Sequence, residues 1–259
     1  MQKRGQVTVF VMIGLVALIV IVLLFFAKNT LQEQITKATD VEKYLNMQAT
    51  AIQEEIKECA TQKTQEAITI LADQGGYFSP TNFIGYYGKK VGFRCTNREE
   101  TRSCQNDPII EKSFINKIED HLDVQIASCI DVSSFRAKGY QLQTGTLKTV
   151  VMLKEKTTQI EITYPMSLKK NDVTITREST TIQLPLPLGT YIEATNKILN
   201  LEAKGEQVDP LIMSLESEKK YTVEVRKPYP HKVYIITTPE SEQEWWFAVE
   251  GEGRYVSAY

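Results

Sequence analysis

The chain carries little of what catalysis usually needs. It has two histidines, His121 and His231, in 259 residues. No GxSxG elbow, HExxH pair, phosphate-binding glycine loop or dinucleotide fingerprint occurs in it. Acid pairs such as Glu54-Glu55 and Glu99-Glu100 are neighbours in sequence, so they do not face each other across a site. His121 lies in EDHLD, where Asp120 and Asp123 would raise its pKa or help it hold a cation; a solvated face of an amphipathic helix accounts for the same residues. His231 lies in KPYPHK, which reads as a turn between strands. The expectation is a protein that is not an enzyme, with no catalytic residue, cofactor or metal. The net charge of −2 gives no general case for nucleic-acid binding.

Charge is also missing locally. Gly5 to Ala27, 23 residues, contains no charged side chain, and VTVFVMIGLVALIVIVLLFFA is dominated by Val, Ile and Leu. As a helix this stretch reaches about 35 Å at ~1.5 Å per residue, enough for a hydrocarbon core of about 30 Å. Lys3, Arg4 and the terminal amine precede it. Positive charge is retained in the cytoplasm, so the expected arrangement is a single pass with the N-terminus inside and residues 28–259 outside. A cleaved secretory signal would need a shorter apolar core and a small-x-small cleavage site, which FFAKNT does not supply.

The residues around the start of the run carry a family resemblance. Lys3, Arg4, Gly5, Gln6 and Thr8 resemble the class III signal of archaeal type IV pilin-like proteins: a short basic leader, a small residue, glutamine, and a hydroxyl residue two positions later. The resemblance covers about ten residues and the layout of a helix followed by an outer domain. It implies a prepilin peptidase that cuts between Gly5 and Gln6 and leaves the apolar helix on the mature protein. It also implies a homo- or hetero-oligomer formed through that helix. Phe10 stands at the fifth mature position, where many pilins have glutamate. That departure points to a minor subunit or a processed, unassembled membrane protein; an uncut signal anchor is the other reading.

Beyond the anchor the pattern is α+β, with helices first and then antiparallel sheet. Leu31, Ile35, Ala38, Val41, Leu45, Ile52, Ile56 and Cys59 recur at threes and fours, with Gln48 and Ala49 in one gap. They predict an amphipathic stalk helix over 28–74 that continues the anchor helix of 6–27 and follows the basic leader of 1–5. Gly75 and Gly76 would end it. YFSPTNFIGYYGKKVGFRC reads as loop with a short strand pair. Asp107-Pro108 predicts a helix start, with Phe114, Ile118, Leu122, Ile126 and Cys129 on one face of a helix that runs to about Ile130. That completes a segment of 75–137.

From 138 to 259 the signal is mainly strand. LKTVVMLK, TTQIEITY, DVTITRE, STTIQLPL, KYTVEVRK, HKVYIITT, EWWFAVE and GRYVSAY all read so. Helices are expected between Leu188 and Ala203 and in DPLIMSLES, and a hairpin at Gly251 and Gly253. The boundary near 138 separates two domains or two halves of one.

All four cysteines lie beyond the apolar run, with gaps of 35, 8 and 24 residues. These gaps suit disulfides on an oxidising side better than a zinc site. Of the three pairings, Cys95–Cys104 would close CTNREETRSC and Cys59–Cys129 would join two helices. In EWWFAVE, Trp245 and Trp246 point to opposite faces. Either one face is exposed and offers a partner contact, or the strand is buried on both.

The function these features imply is a membrane-anchored cell-surface protein, structural or adhesive: a minor filament subunit or envelope component. A tethered extracytoplasmic binding module that does not assemble is the alternative, and a membrane-bound enzyme the third reading.

Overall fold

The computed structural model describes residues 4–97, 104–128, 133, 140–170 and 172–251; within 4–40 the only side chains described are Val16 and 18–24. Helix α1 (Arg4–Asp73) runs unbroken for 70 residues. Between Gly14 and Gly75 the sequence holds neither glycine nor proline, so nothing local interrupts the backbone hydrogen bonds. Among the described residues no helix is long and apolar enough to cross a membrane. The span expected at 6–27 falls mostly on side chains outside that set.

The end of α1 follows from its two glycines. Gly75 and Gly76 have φ of 69° and 80°, and the Gly76 N–H donates to the Leu71 carbonyl at 2.6 Å. This six-to-one bond closes the helix and needs a left-handed residue that glycine supplies without a Cβ clash.

The elements that follow are β1 (Phe83–Tyr86), β2 (Lys89–Asn97), β3 (Cys104–Asn106), α2 (Glu111–Ser128), β4 (Gln141–Thr144) and β5 (Lys148–Leu153). Then come β6 (Thr158–Lys170), β7 (Val173–Leu184), α3 (Leu188–Ala203), α4 (Pro210–Glu216), β8 (Thr222–Arg226), β9 (Lys232–Thr238) and β10 (Ser241–Val249). β1 and β2 form the strand pair read from the aromatic loop. Their two-residue turn, Tyr87-Gly88, has positive φ at both positions, which matches the twist of the flanking strands. α4 begins as its sequence implies, with the Asp209 carboxylate accepting from the Leu211 and Ile212 N–H groups ahead of Pro210 at the first turn.

Several expectations are corrected. α2 starts at Glu111, not at Asp107-Pro108: the Asp107 carboxylate is committed to Arg94 and Tyr77 and does not cap the helix. DVTITRE and STTIQLPL are one strand, β7, and β4 had no clear signal in the sequence. The sheet built from β1-β2-β10-β9-β8 is mixed, because β10 runs parallel to β2 where only antiparallel pairing was expected. Of the hairpin expected at Gly251 and Gly253 only Gly251 is among the described residues; Gly253, the strand GRYVSAY and Cys129 lie outside them.

The chain divides into two units. The first takes Met1–Ile52, Val132–Gln143 and Met166–Arg177. Its buried side chains include Leu45, Ala49, Ile52, Tyr140, Leu142 and Leu168. Ala49 thus fills the gap in the helix stripe. The Tyr140 and Tyr44 hydroxyls bond at 2.7 Å, and Lys170 Nζ sits 5.2 Å from both ring centroids. The bond to Tyr44 raises the Tyr140 hydroxyl to about 12.

The second unit takes Gln53–Asp131, Thr144–Pro165 and Glu178–Tyr259. α1 from Ala60 onwards, α2 with Phe114, Ile118, Leu122 and Ile126, and α3 bury their apolar faces in one core with β5, β6 and β10. α2 also covers an open strand edge. Asp123 Oδ1 accepts the Thr149 N–H at 2.6 Å and its hydroxyl at 2.7 Å, while Glu119 Oε1 accepts the Val151 N–H at 2.9 Å. β5 pairs with β6 on its other side, so these carboxylates take the place of a missing strand.

Candidate functional site

Trp245 organises the centre of the second unit. It is fully buried, stacked on Tyr191 at 5.6 Å and edge-on to Phe114 at 6.1 Å. Trp246, on the opposite face of β10, is 7 % exposed and packs with Val91, Phe93, Val233 and Ile235. β10 is paired along both edges, with β2 and β9, and both of its faces are packed: Trp245, Phe247 and Val249 in one cluster, Trp246 and Ala248 in another. The partner contact expected at Trp245 and Trp246 is corrected: neither indole offers a surface.

A bulge positions Arg94. In the β2–β10 pairing Ala248 faces Phe93 and Val249 faces Cys95, which leaves Arg94 unmatched and turned inward. Its guanidinium is 5 % exposed and donates from Nε to the Gly75 carbonyl at 2.6 Å and from Nη1 to Asp107 Oδ2 at 3.1 Å. It also lies 3.9 Å over the Tyr77 ring, and the Tyr77 hydroxyl donates to the same Asp107 carboxylate. Burial lowers the Arg94 pKa and raises that of Tyr77. The cluster ties the end of α1 to β2 and to the chain entering α2. A cavity of about 110 Å³ beside it is too small for a ligand of ordinary size.

A second polar cluster surrounds Glu202 of α3. Lys232 Nζ donates to both carboxylate oxygens at 2.8 Å, and the Tyr234 hydroxyl donates to Oε1. Glu202 is 8 % exposed, and burial followed by this carboxylate raises the Tyr234 pKa. These three bonds close within the cluster, so its charge is internally balanced. It reads as an ion pair that fixes α3 on β9.

A recess of about 520 Å³ in this unit is a groove with three walls. Gln65, Ile68 and Thr69 of α1 supply one, at the i, i+3 and i+4 spacing that places side chains on one helix face. Leu184, Pro185 and Leu186, where β7 ends, supply the second. Glu240 to Gln243, the turn from β9 into β10, supply the third. The third wall is irregular for a reason: the ladder pairs Ser241 with Thr238 and next Trp245 with Ile236, so the register slips between them. The buried Tyr191 hydroxyl holds the displaced segment by donating to the Gln243 carbonyl at 2.5 Å. Thr69 Oγ1 bonds Gln243 Oε1 at 3.3 Å across the groove. The lining is mixed: Ile68, Leu184, Pro185 and Leu186 are apolar, and the charged lining residues are Glu240 and Glu242.

The remaining sequence candidates fall as follows. Gly5 and Gln6 are in the first turns of α1, with side chains outside the described set. Cys95 and Cys104 are joined, with Cα atoms 5.4 Å apart, on the paired strands β2 and β3. Cys59 is not free, and its expected partner Cys129 lies outside the described residues. His121 stacks on Phe78 at 4.1 Å, and burial lowers its pKa. That reverses the expected upward shift, because Asp123 faces Thr149 rather than the imidazole. His231 packs edge-on against Phe93, and its Nδ1 accepts the Gly251 N–H at 3.2 Å. Among the described residues no group of three or more histidine, cysteine or acidic side chains is placed to hold a metal.

Sequence reasoning missed the groove. Its only local trace is TPESEQE, three acids within five residues at a turn, which also describes an ordinary solvated loop. The chain matches no protein-family model, no curated protein and no solved structure.

Proposed function

We propose that this protein is a single-pass, membrane-anchored component of the cell surface with a pilin-like N-terminal segment, structural or adhesive in role. The observation that carries the reading is on α1. Val16 and every residue from Leu18 to Leu24 are large or apolar and 43 to 65 % exposed, on a helix that continues unbroken to Asp73. Eight such side chains held in water would be a heavy uncompensated cost; lipid or neighbouring helices remove it. The Cys95–Cys104 disulfide supports an outer, oxidising location for the second unit. Lys3 and Arg4 before the run support a cytoplasmic N-terminus.

On this reading the leader charges hold the precursor in the bilayer until a prepilin peptidase cuts before Gln6. The freed helix then packs with a second copy or with a different subunit. The alternative, a tethered binding module that does not assemble, is favoured by one observation, the groove with an acidic wall.

The test is the N-terminal residue of the mature protein, read by mass spectrometry from native membranes. A start at Gln6 supports the pilin-like reading. A start at Met1 leaves a plain signal anchor and moves the binding module ahead. A start near Asn29 overturns both, because the domain is then secreted.

A further inference from the structure

We infer that the groove between α1, the end of β7 and the β9–β10 turn is a docking site for an extended polypeptide segment that carries a basic side chain next to apolar ones. The inference stands apart from membrane anchoring. Three features carry it. The volume, about 520 Å³, is in the usual range for an occupied site. Ile68, Leu184, Pro185 and Leu186 give the groove an apolar portion beside its polar walls, which suits an apolar side chain.

The wall charges are all of one sign. Glu240 and Glu242 line the groove, and no lysine or arginine does. Lys156 approaches Glu240 at 3.5 Å but is itself mostly exposed, and no ion pair is formed by Glu242 among the described residues. A cation entering the groove would therefore meet two carboxylates, one of them unpaired.

The backbone argues for a peptide over a small amine. The slip between Ser241 and Trp245 takes Glu242 out of the β9 ladder, so its main chain can pair with another chain, while the Gln243 N–H and carbonyl are already held by Ser241 Oγ and the Tyr191 hydroxyl. Gln65, Thr69 and Gln243 add side-chain donors and acceptors along the same line.

The experiment uses the full chain in detergent and fluorescence anisotropy. The probe is a fluorescein-labelled hexapeptide, Leu-Lys-Val-Arg-Leu-Thr, beside a matched peptide with glutamate at both basic positions. The expected result is saturable binding of the basic peptide alone, weakened by added salt. The double variant E240Q/E242Q should weaken it about tenfold, as loss of complementary charge does. Thr69→Trp places an indole in the groove from an exposed helix position and should abolish binding while the thermal melt stays that of the parent. Equal binding of the two peptides, binding by neither, or full binding by the Thr69→Trp variant overturns the proposal. The N-terminal mass measurement reads a different part of the chain, so either idea can fail alone.

Discussion

Single residues decide two tight places in the second unit. At Gly76 both conformation and space exclude a side chain. Its φ is 80°, and a Cβ there would lie 2.9 Å from Arg94 Nη2 and 3.1 Å from the Trp245 ring. At Gly88 φ is 77°, but no atom lies within 4 Å of the same point. Gly76→Ala should therefore cost about 3 kcal/mol and Gly88→Ala about 1 kcal/mol, since only the first adds overpacking to left-handed strain. Urea denaturation of the two variants checks the difference. His121 gives a pH prediction. Its folded pKa lies below the unfolded value near 6.5, so the unfolded state takes up the proton first. The stability it contributes is complete above about pH 6.5 and is lost as pH falls through the folded value. His121→Phe keeps a ring against Phe78 and should flatten the stability profile just below pH 6.5, before most carboxylates titrate. Thermal melts across that range would read it; an unchanged slope would mean that His121 is not the group responsible.

Between elements, the contact of α2 with β5 shows how a surface pattern acquires a structural role. EDHLD looks like a solvated helix face, and two of its carboxylates instead accept the Thr149 and Val151 N–H groups of a strand edge. Asp123→Ala should leave the Thr149 N–H and hydroxyl without that acceptor and cost about 2 kcal/mol. The Thr149 amide should then exchange with solvent faster, and amides in β9 should not. Helix periodicity made α1, α2 and α3 legible, and caps and glycines placed most of their ends. The exception was the start of α2, where a proline after aspartate looked like a cap. What periodicity could not convey was the partner of each carboxylate, because Asp123 and Thr149 come together only once the helix docks.

Across the whole chain, the anchoring proposal makes a physical prediction. In Triton X-114 phase separation the full chain should enter the detergent phase. A chain that begins at Lys28 should enter the aqueous phase, since the 23 uncharged residues account for the affinity. Partition of both into the aqueous phase would remove the membrane reading. The sequence by itself determined the long α1, its stop at Gly75 and Gly76, the short strand pair after it, and most of the later strands, because each depends on neighbours a few residues away. Only the tertiary structure decided the parallel pairing of β10 with β2, and with it the inward turn of Arg94. The burial of both tryptophans and the groove against α1 were decided in the same way. These features join residues about 150 positions apart. Their energy comes from packing and electrostatics that exist only after the chain has closed, so no local pattern records them.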